Sequence, residues 1–441
     1  MGGTWTIQNK VIPDIYINKR TVAAIPLAAG IRGIATIPLA LDWGAEGELI
    51  EVFAADFLSG ASLPLIGFSA VDTGKAKLLR PILGECYLCK VFRLNSGGVK
   101  ATATIGTLTI TARHSGVLGN AIQIVISAVG SLRAVETYLN GERVDTQTVA
   151  NIGELESNPY VIFSGTGSLT IDAGTSLTSG TNGTTVEATA YTAYKNLLQH
   201  TSWTVAAIPT SNTAIKKDMA DFAEAMREEE GKPVQVCISD YTVADYEGVI
   251  TNYNSATIDG TLFTNEEATS IICGLSAGAP ITQSNTGRVI RGATNATLPL
   301  SRSDLEKKLE EGYIVFGTNQ DGSVKVVQDI NSLHTFTVEK NRNFRKNRII
   351  RTLDEIAATL TAKWENGYLG RVNNDSNGRA IFLADVVSYL KSLNGLAIQN
   401  FNENEDAIIA PGIELDSVLL TLNIQPLDSM EKLYVTINII T

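Results

Sequence analysis

The sequence has little of what catalysis, metal binding or membrane insertion requires. It contains only three histidines and four cysteines among 441 residues. No uninterrupted apolar run approaches the ~20 residues that a membrane-spanning helix needs. Neither of its two Gly-Lys pairs is followed by Ser or Thr, so the phosphate-binding loop motif is absent. We therefore expect no stable membrane insertion and no nucleotide cradle.

The histidines and cysteines show no spacing typical of a metal or redox site. They are scattered along the chain as His114, His200 and His334, and as Cys86, Cys89, Cys237 and Cys273. Cys86 and Cys89 have redox spacing but lie in an apolar, strand-like run, which favours buried thiols over an activated pair. We expect no metal and no cofactor.

Positive charge is also scarce. The chain has 35 Lys and Arg against 46 Asp and Glu, for a formal net charge of −11. A protein whose main partner is naked nucleic acid or an anionic membrane needs a basic face, so direct nucleic-acid binding is not expected. The first residues, MGGTWTIQNK, lack the charged and apolar regions of a signal peptide, which predicts synthesis in a reducing cytoplasm.

A chain of this length exceeds what one core supports, so several domains are expected. The patterns predict an α+β multidomain protein: a mixed α/β core, an inserted all-β, sandwich-like domain and a C-terminal α+β domain. The predicted division is 1–20 as an N-terminal arm, 21–95 as the first part of the core, 96–187 as the insertion, 188–335 as the α/β core, 336–430 as the C-terminal domain and 431–441 as a C-terminal strand or arm.

The insertion is marked by composition. No lysine occurs between Lys100 and Lys195, while Thr, Ser and Gly dominate. Asn140-Gly141 between two alternating runs predicts a type I′ hairpin. After the insertion, the runs 203–208 and 234–238 flank a helical pattern and predict a βαβ unit. Thr264 with Glu267 predicts a capping box, and Ser301 predicts a second helix start.

The stretch from Gly312 to Arg351 combines a predicted hairpin with a basic helix entrance. The runs 313–316 and 324–327 flank a loop with Asp321-Gly322, a dipeptide that favours a tight turn. A cationic run from Lys340 to Arg351 leads into an amphipathic helix. In so acidic a chain, we interpret these cations as intersubunit or intramolecular pairs rather than a nucleic-acid site.

Two other functional classes, a hydrolase and a glycan-binding protein, have some support in the sequence. Gly274-x-Ser276-x-Gly278 matches the nucleophile elbow of α/β hydrolases, with His334 downstream, although the segment before Ser276 is predicted to be helical rather than a strand. The Ser/Thr/Gly-rich insertion could instead be a glycan-binding β domain.

The order of several motifs resembles that of phage tail sheath proteins. Asp329 to Leu333 reads DINSL and Phe344 to Arg348 reads FRKNR, similar to the family's "dINTL" and "FrknR" segments. Pro13 to Tyr16 resembles the family's start, with Asp14 where glycine is usual, and Thr178 to Gly183 resembles its "GGtdG" element. The segment from Ile424 to Tyr434 is similar to "PvdameKiYv". The insertion resembles the extra domain of sheaths from phages and defective prophages of Gram-positive hosts.

The resemblance implies a structural subunit, not an enzyme, that forms helical rings around a tail tube, contracts and drives the tube through the host cell envelope. It implies homo-oligomers that contact the tail tube, baseplate and tail terminator proteins, in a virion assembled in the host cytoplasm. The two chain ends would be intersubunit arms, through Thr4, Trp5, Ile7, Ile15, Tyr16, Ile17, Leu433, Val435, Ile437 and Ile439. Tube or lattice contacts would be Arg345, Arg348, Arg351, Arg379 and Lys391.

Overall fold

The computed structural model of the chain describes residues 33–439. Within that range the predicted α+β multidomain fold is confirmed. The strands, in chain order, are β1 (Ile34–Leu39), β2 (Leu49–Phe53), β3 (Leu88–Arg93), β4 (Thr102–Ile105), β5 (Leu108–Ala112), β6 (Ile122–Val129), β7 (Leu132–Leu139), β8 (Glu142–Val149), β9 (Val161–Ser164), β10 (Asp172–Ser176), β11 (Val205–Ile208), β12 (Gln235–Ser239), β13 (Val249–Asn252), β14 (Ala256–Ile258), β15 (Thr261–Leu262), β16 (Ala293–Ala296), β17 (Tyr313–Ile314), β18 (Phe316–Thr318), β19 (Val324–Val326), β20 (Ile398–Gln399), β21 (Ala407–Pro411), β22 (Val418–Leu422) and β23 (Gln425–Pro426).

The helices are α1 (Ala54–Ser59), α2 (Leu63–Ile66), α3 (Leu79–Leu83), α4 (Glu187–Gln199), α5 (Thr213–Glu228), α6 (Ala268–Gly278), α7 (Arg302–Glu310), α8 (Asn347–Lys363) and α9 (Ser376–Leu393). Short 3₁₀ turns cover Val117–Ala121, Ile152–Glu154, Thr242–Ala244 and Arg342–Arg345, and a π turn covers Trp364–Tyr368. Across residues 33–439 no helix is both long and apolar enough to cross a membrane.

A seven-stranded sheet forms the α/β core, in the order β17-β13-β12-β11-β1-β3-β2. All neighbours are parallel except β2 and β3. The predicted βαβ unit is confirmed as β11, α5 and β12, since β11 and β12 pair in parallel. Parallel strands need such crossovers, and the helices cover both faces of the sheet.

Alternate side chains of each strand enter two separate cores, as the two-residue period of a strand requires. Val205 and Ala207 face α3 and α6, whereas Ala206 and Ile208 face α4 and α5. All four cysteines are buried, three of them in or beside these strands and Cys273 in α6. Burial raises the pKa of the Cys86 thiol, which agrees with the expectation of unreactive thiols.

The insertion consists of a four-stranded sheet, β10-β6-β7-β8, and a three-stranded sheet, β4-β5-β9, around one core. The predicted hairpin at Asn140-Gly141 joins β7 to β8, and both turn residues have positive φ (52° and 83°), as a type I′ turn requires.

A buried polar node attaches the insertion to the core. The Arg93 guanidinium, at the end of β3, donates from Nη1 to the carbonyl oxygens of Gly44 (2.8 Å) and Ser115 (2.9 Å). Asn95 Nδ2 donates to the carbonyl of Asn182 (2.5 Å), and so joins the two connecting segments. Gly116 lies here at φ 137°, and a Cβ at this position would stand 1.9 Å from the Asp42 carbonyl oxygen. The node fixes how the insertion leaves the core.

Local capping signals predicted the starts of two helices, α6 and α7. The Thr264 amide donates to Glu267 Oε2 (2.8 Å) and the Glu267 amide to Thr264 Oγ1 (3.3 Å), which confirms the capping box. Ser301 accepts from the Asp304 amide at the start of α7. The hairpin is confirmed only in part: β18 pairs with β19, but Tyr313–Ile314 joins the parallel sheet beside β13.

The C-terminal unit packs α8 and α9 against two small antiparallel pairs, β20-β23 and β21-β22. Ile356, Phe382, Val386, Leu390 and Ile398 form its core. Residues 433–439, which the sequence predicts as a terminal strand or arm, form no regular element in the single chain. An extended segment needs a partner strand for its backbone hydrogen bonds, and no strand among residues 33–439 pairs with this one.

Candidate functional site

The junction between the α/β core and α8 is the candidate site, and its first part is the segment from Asp329 to Leu333. The Ser332 amide donates to the Val249 carbonyl (2.8 Å) at the start of β13. On the other side, Asn331 Nδ2 donates to the Phe344 carbonyl (2.8 Å). Both polar residues are fully buried. The segment therefore links the sheet to the basic stretch that begins α8.

Asp329 is the centre of the junction. It is buried and accepts hydrogen bonds from the Asn285 amide (2.9 Å), Asn347 Nδ2 (3.0 Å) and Arg351 Nη2 (2.9 Å). Burial by itself raises the pKa of Asp329, but the charge of Arg351 and these hydrogen bonds outweigh it and hold the pKa below the ordinary value. The carboxylate is thus ionised and ties three chain segments together.

A second buried ion pair holds α8 to the core. Arg227, at the end of α5, donates from Nη1 and Nη2 to the two Asp354 oxygens (3.0 and 2.8 Å) in a bidentate pair. Asp354 lies three residues after Arg351 and hence on the same side of α8. The first two turns of α8 are therefore fixed by charge to the α/β core.

A polar cluster around Glu431 holds the chain where it leaves the folded unit; we call Thr286, Gln328, Lys346 and Glu431 the C-terminal clasp. Glu431 accepts from Thr286 Oγ1 (2.7 Å), Gln328 Nε2 (2.9 Å) and the Lys346 ammonium. Burial by itself raises the pKa of Glu431, but hydrogen bonds from Lys346, Gln328 and Thr286 lower it below the ordinary value. The clasp fixes the exit point of the last residues.

Beyond the clasp, the described end of the chain is apolar and uncovered. Leu433, Val435, Ile437 and Ile439 are 67% to 88% exposed. Exposed apolar residues occur singly on most proteins, but a contiguous extended run of them marks an interaction segment. These are the C-terminal residues predicted to form an arm. The N-terminal ones (Thr4, Trp5, Ile7, Ile15, Tyr16, Ile17) lie outside the described residues.

The structure buries the three junction arginines predicted as tube or lattice contacts. Arg351 pairs with Asp329, and Arg348 Nη1 donates to Ser429 Oγ (2.9 Å) beside the clasp. These contacts correspond to the intramolecular alternative. Arg345 differs from Arg348 and Arg351 in its hydrogen bonding. Neither its Nε nor its Nη2 has a hydrogen-bond partner in the described chain. Burial also lowers its pKa to about 10.

The other two predicted contacts lie on α9. Arg379 is half-buried and donates from Nη1 to Asn374 Oδ1 (2.9 Å), near the start of the helix. Lys391, near its end, is exposed and pairs with Glu403 (2.5 Å). Twelve residues separate them, which places them about 120° apart around a helix of 3.6 residues per turn. One flat surface would not contact both side chains equally.

The hydrolase alternative has the wrong local structure. Ser276 lies inside α6, not at a turn between strand and helix, and it is buried at 4% exposure. The His334 ring is hydrogen-bonded at Nδ1 to the Ser332 carbonyl and lies near Asp245, in the junction. Among residues 33–439, no group of three or more His, Cys, Asp or Glu could hold a metal ion.

Sequence reasoning missed the acidic partners of the junction. Glu431 and Lys346 are 85 residues apart, and Arg227 and Asp354 are 127 apart. The local signals were two acidic residues inside the segments that resemble the family motifs: Asp329 in DINSL and Glu431 in SMEKLY. Neither signal identifies its cationic partner.

Comparison with family models matches three consecutive stretches of the chain. They are described as the phage tail sheath protein beta-sandwich domain (residues 96–182), the phage tail sheath protein central domain (184–332) and the phage tail sheath C-terminal domain (339–440). The candidate junction connects the last two.

Known proteins match over the whole chain. The phage-like element PBSX protein XkdK of Bacillus subtilis is 31% identical over 99% of this chain and 99% of its own length. The crystal structure of a sheath tail protein from Desulfitobacterium hafniense superposes with a TM-score of 0.80 at 34% identity, covering 96% of this chain and 99% of that one. The helical sheath of the anti-feeding prophage in its contracted state shares the fold, with a TM-score of 0.58 at 10% identity, over 97% and 99% of the two chains.

Proposed function

The chain belongs to the family of phage tail sheath proteins, and from this membership we propose that it polymerises helically around a tail tube, then contracts to drive the tube through a host cell envelope. As a member of that family it is a structural subunit of a contractile tail sheath, a component of a virion or prophage tail, and not an enzyme.

The exposed C-terminal segment carries the proposal. Residues 433–439 alternate apolar side chains with polar ones and have no partner strand in the described protomer. An extended chain of this kind gains main-chain hydrogen bonds and apolar burial only by adding to the sheet of another molecule. In a homopolymer that molecule is a neighbouring subunit. The N-terminal residues 4–17 would act in the same way.

The junction would hold the C-terminal segment rigidly to the rest of the subunit. The two buried ion pairs hold α8 to the core, and the C-terminal clasp fixes the point from which the terminal segment departs. A subunit can then reorient as a body while its arm stays paired with the neighbour. Contraction in this scheme needs no fuel when it is triggered, because the extended lattice is a metastable state that gains interface area on collapse.

The domain division predicted from sequence is part of the proposal. The insertion at 96–187, the core at 188–335 and the C-terminal domain at 336–430 are supported by the composition shifts and by the separate apolar cores. The insertion is attached to the core at the Arg93 node, at the end of β3, which is the edge of the sheet occupied by β2 and β3.

Further partners follow from a sheath role. The tail tube, the baseplate and the tail terminator are the surfaces that a sheath meets inside and at its two ends, and assembly would take place in the host cytoplasm. We place α9 toward the tube, with Arg379 and Lys391 as candidate contacts. The exposure of Lys391 supports this orientation, whereas Arg379, half-buried and about 120° away around the helix, would lie toward the edge of such a contact.

Truncation after Lys432 tests the arm. The variant retains Glu431 and its contacts, so we expect a folded monomer with the wild-type melting temperature that forms no tubes in negative-stain microscopy at concentrations where the wild type does. Val243→Ser is the matched control, since Val243 is equally exposed (83%) but lies on the core. Tubes formed by the truncated chain would show that the segment is not the link.

A further inference from the structure

Arg345 is buried, and two of its three guanidinium nitrogens have no hydrogen-bond partner among residues 33–439. The residue is 6% exposed, and in the described chain neither its Nε nor its Nη2 has a hydrogen-bond partner. No ion pair of Arg345 occurs among residues 33–439 either. A buried donor without an acceptor costs free energy in the isolated subunit. Such a group therefore calls for an explanation, for example an acceptor on another molecule.

Other buried or partly buried arginines among residues 33–439 donate side-chain hydrogen bonds, although the Nε atoms of Arg93 and Arg348 also lack a partner there. Arg93 donates three hydrogen bonds, and Arg227 forms a bidentate pair with Asp354. Arg348 donates to Ser429. Arg345 lies in the same basic stretch as Arg348, yet within residues 33–439 it has no ion pair and no hydrogen bond at Nε or Nη2. Its guanidinium offers a planar fork that matches a carboxylate.

The charges nearest to Arg345 favour an anion over a cation as its partner. Arg342, one 3₁₀ turn earlier, is exposed and lowers the pKa of Arg345, so two cations act on the same point. Glu310, at the exposed end of α7, exerts the opposite effect from a greater distance than an ion pair. An arriving carboxylate would be attracted by both arginines.

We propose that Arg345, assisted by Arg342, is a carboxylate-binding site for a second copy of this chain. The proposal rests on the proposed function, because only a polymer brings a second copy to this place. The chain carries 46 acidic residues against 35 basic ones, so an identical neighbour presents mainly carboxylates. Because Nε and Nη2 are shielded from solvent in the protomer, the proposed contact requires the guanidinium to turn outward as the neighbour docks, and its donors are satisfied only then.

The first test is the melting temperature of the monomer. The proposal predicts that loss of the buried Arg345 guanidinium does not lower it. Replacing an unpaired buried guanidinium by an apolar side chain of similar length removes a desolvation cost. Arg345→Met should therefore melt at or above the wild-type temperature, by up to about 5 °C. Arg351→Met is the matched control, because it leaves Asp329 buried without its ion-pair partner and should melt well below the wild type.

The second test is assembly of the purified chain without tube protein. Arg345→Met should raise the concentration needed for tube formation by about tenfold or more, as loss of one member of a buried charge pair does. Arg342→Met should have a smaller effect, and Arg345→Lys should recover part of the loss.

Three results would overturn the proposal. Arg345→Met could melt as low as Arg351→Met, which would mean that Arg345 is bonded within the protomer. The variant could form tubes at the wild-type concentration. A structure of the wild-type tube could place Glu310 of the same chain, rather than a carboxylate of a neighbouring copy, against Arg345. If the wild-type chain itself forms no tubes, the proposed function fails first and this site fails with it.

Discussion

Removing the charge of Arg351 tests whether the buried pair with Asp329 holds α8 to the core. Asp329 and Arg351 have side chains that are 2% and 1% exposed, so water screens their interaction little. Breaking a buried pair by removing one partner costs about 3–5 kcal/mol. In Arg351→Met, the Asn285 amide and Asn347 Nδ2 still donate to Asp329, which favours the low end of that range.

A second loss adds to the first. Arg351 Nη2 also donates to the Gln283 carbonyl (2.9 Å), and leaving a buried acceptor unpaired costs about 1 kcal/mol or more. We therefore expect Arg351→Met to reduce the free energy of opening at the junction by about 4 kcal/mol. That reduction corresponds to hydrogen exchange on the order of a thousandfold faster for the α8 amides that exchange by this opening.

Native-state hydrogen exchange is the suitable assay, because a chain with several domains need not unfold in two states. Arg302→Met is the control: Arg302 pairs with Glu306 on the exposed surface of α7, and exposed pairs contribute little. Adding Asp329→Asn to Arg351→Met should restore part of the protection, since the orphaned buried charge is then removed. A change below about 1 kcal/mol for Arg351→Met would refute the assignment of the pair as the fastening of α8.

Two further predictions concern the clasp and α9. Because the folded pKa of Glu431 is lower than its ordinary value of 4.5, the clasp stabilises the fold above that pH and its contribution is lost as the pH falls through the folded pKa. The difference in melting temperature between the wild type and Glu431→Gln should thus be largest near neutral pH and shrink progressively as the pH falls below about 4.5 and through the folded pKa. A difference independent of pH would contradict this. Charge reversal of both Arg379 and Lys391 should weaken decoration of purified tubes in a cosedimentation assay, and undiminished decoration would refute the orientation of α9 toward the tube.

Local signals were sufficient where the structure depends on neighbours in sequence. The capping box at Thr264, the cap at Ser301, the Asn140-Gly141 turn and the βαβ unit each follow from a few adjacent residues, and the structure contains all four. The hairpin after Gly312 was predicted only in part, because the pairing of Tyr313–Ile314 with β13 is a contact 62 residues distant, which no local pattern encodes.

The roles of the junction arginines could not be read from the sequence for a related reason. Lys346, Arg348 and Arg351 are close in sequence, yet their partners lie on two other segments: Glu431 and Ser429 near the end of the chain, and Asp329 before α8. The sequence of a basic run shows how many positive charges it contains, but not which of them form ion pairs or hydrogen bonds within the chain. That depends on burial and on distant acceptors, which appear only when the chain is folded.

Burial therefore divides this basic run into two classes with opposite consequences. A cation with an internal carboxylate, such as Arg351, stabilises the subunit and cannot also bind a neighbour without breaking that pair. A buried cation with no carboxylate partner in the described part of the chain, as with Arg345, would by our proposal weaken the subunit and be stabilised only when a partner binds. In a sheath that first assembles and later rearranges, we expect buried cations without an internal partner to form contacts between subunits. Monomer stability and assembly should therefore respond in opposite directions to the loss of Arg345 and in the same direction to the loss of Arg351.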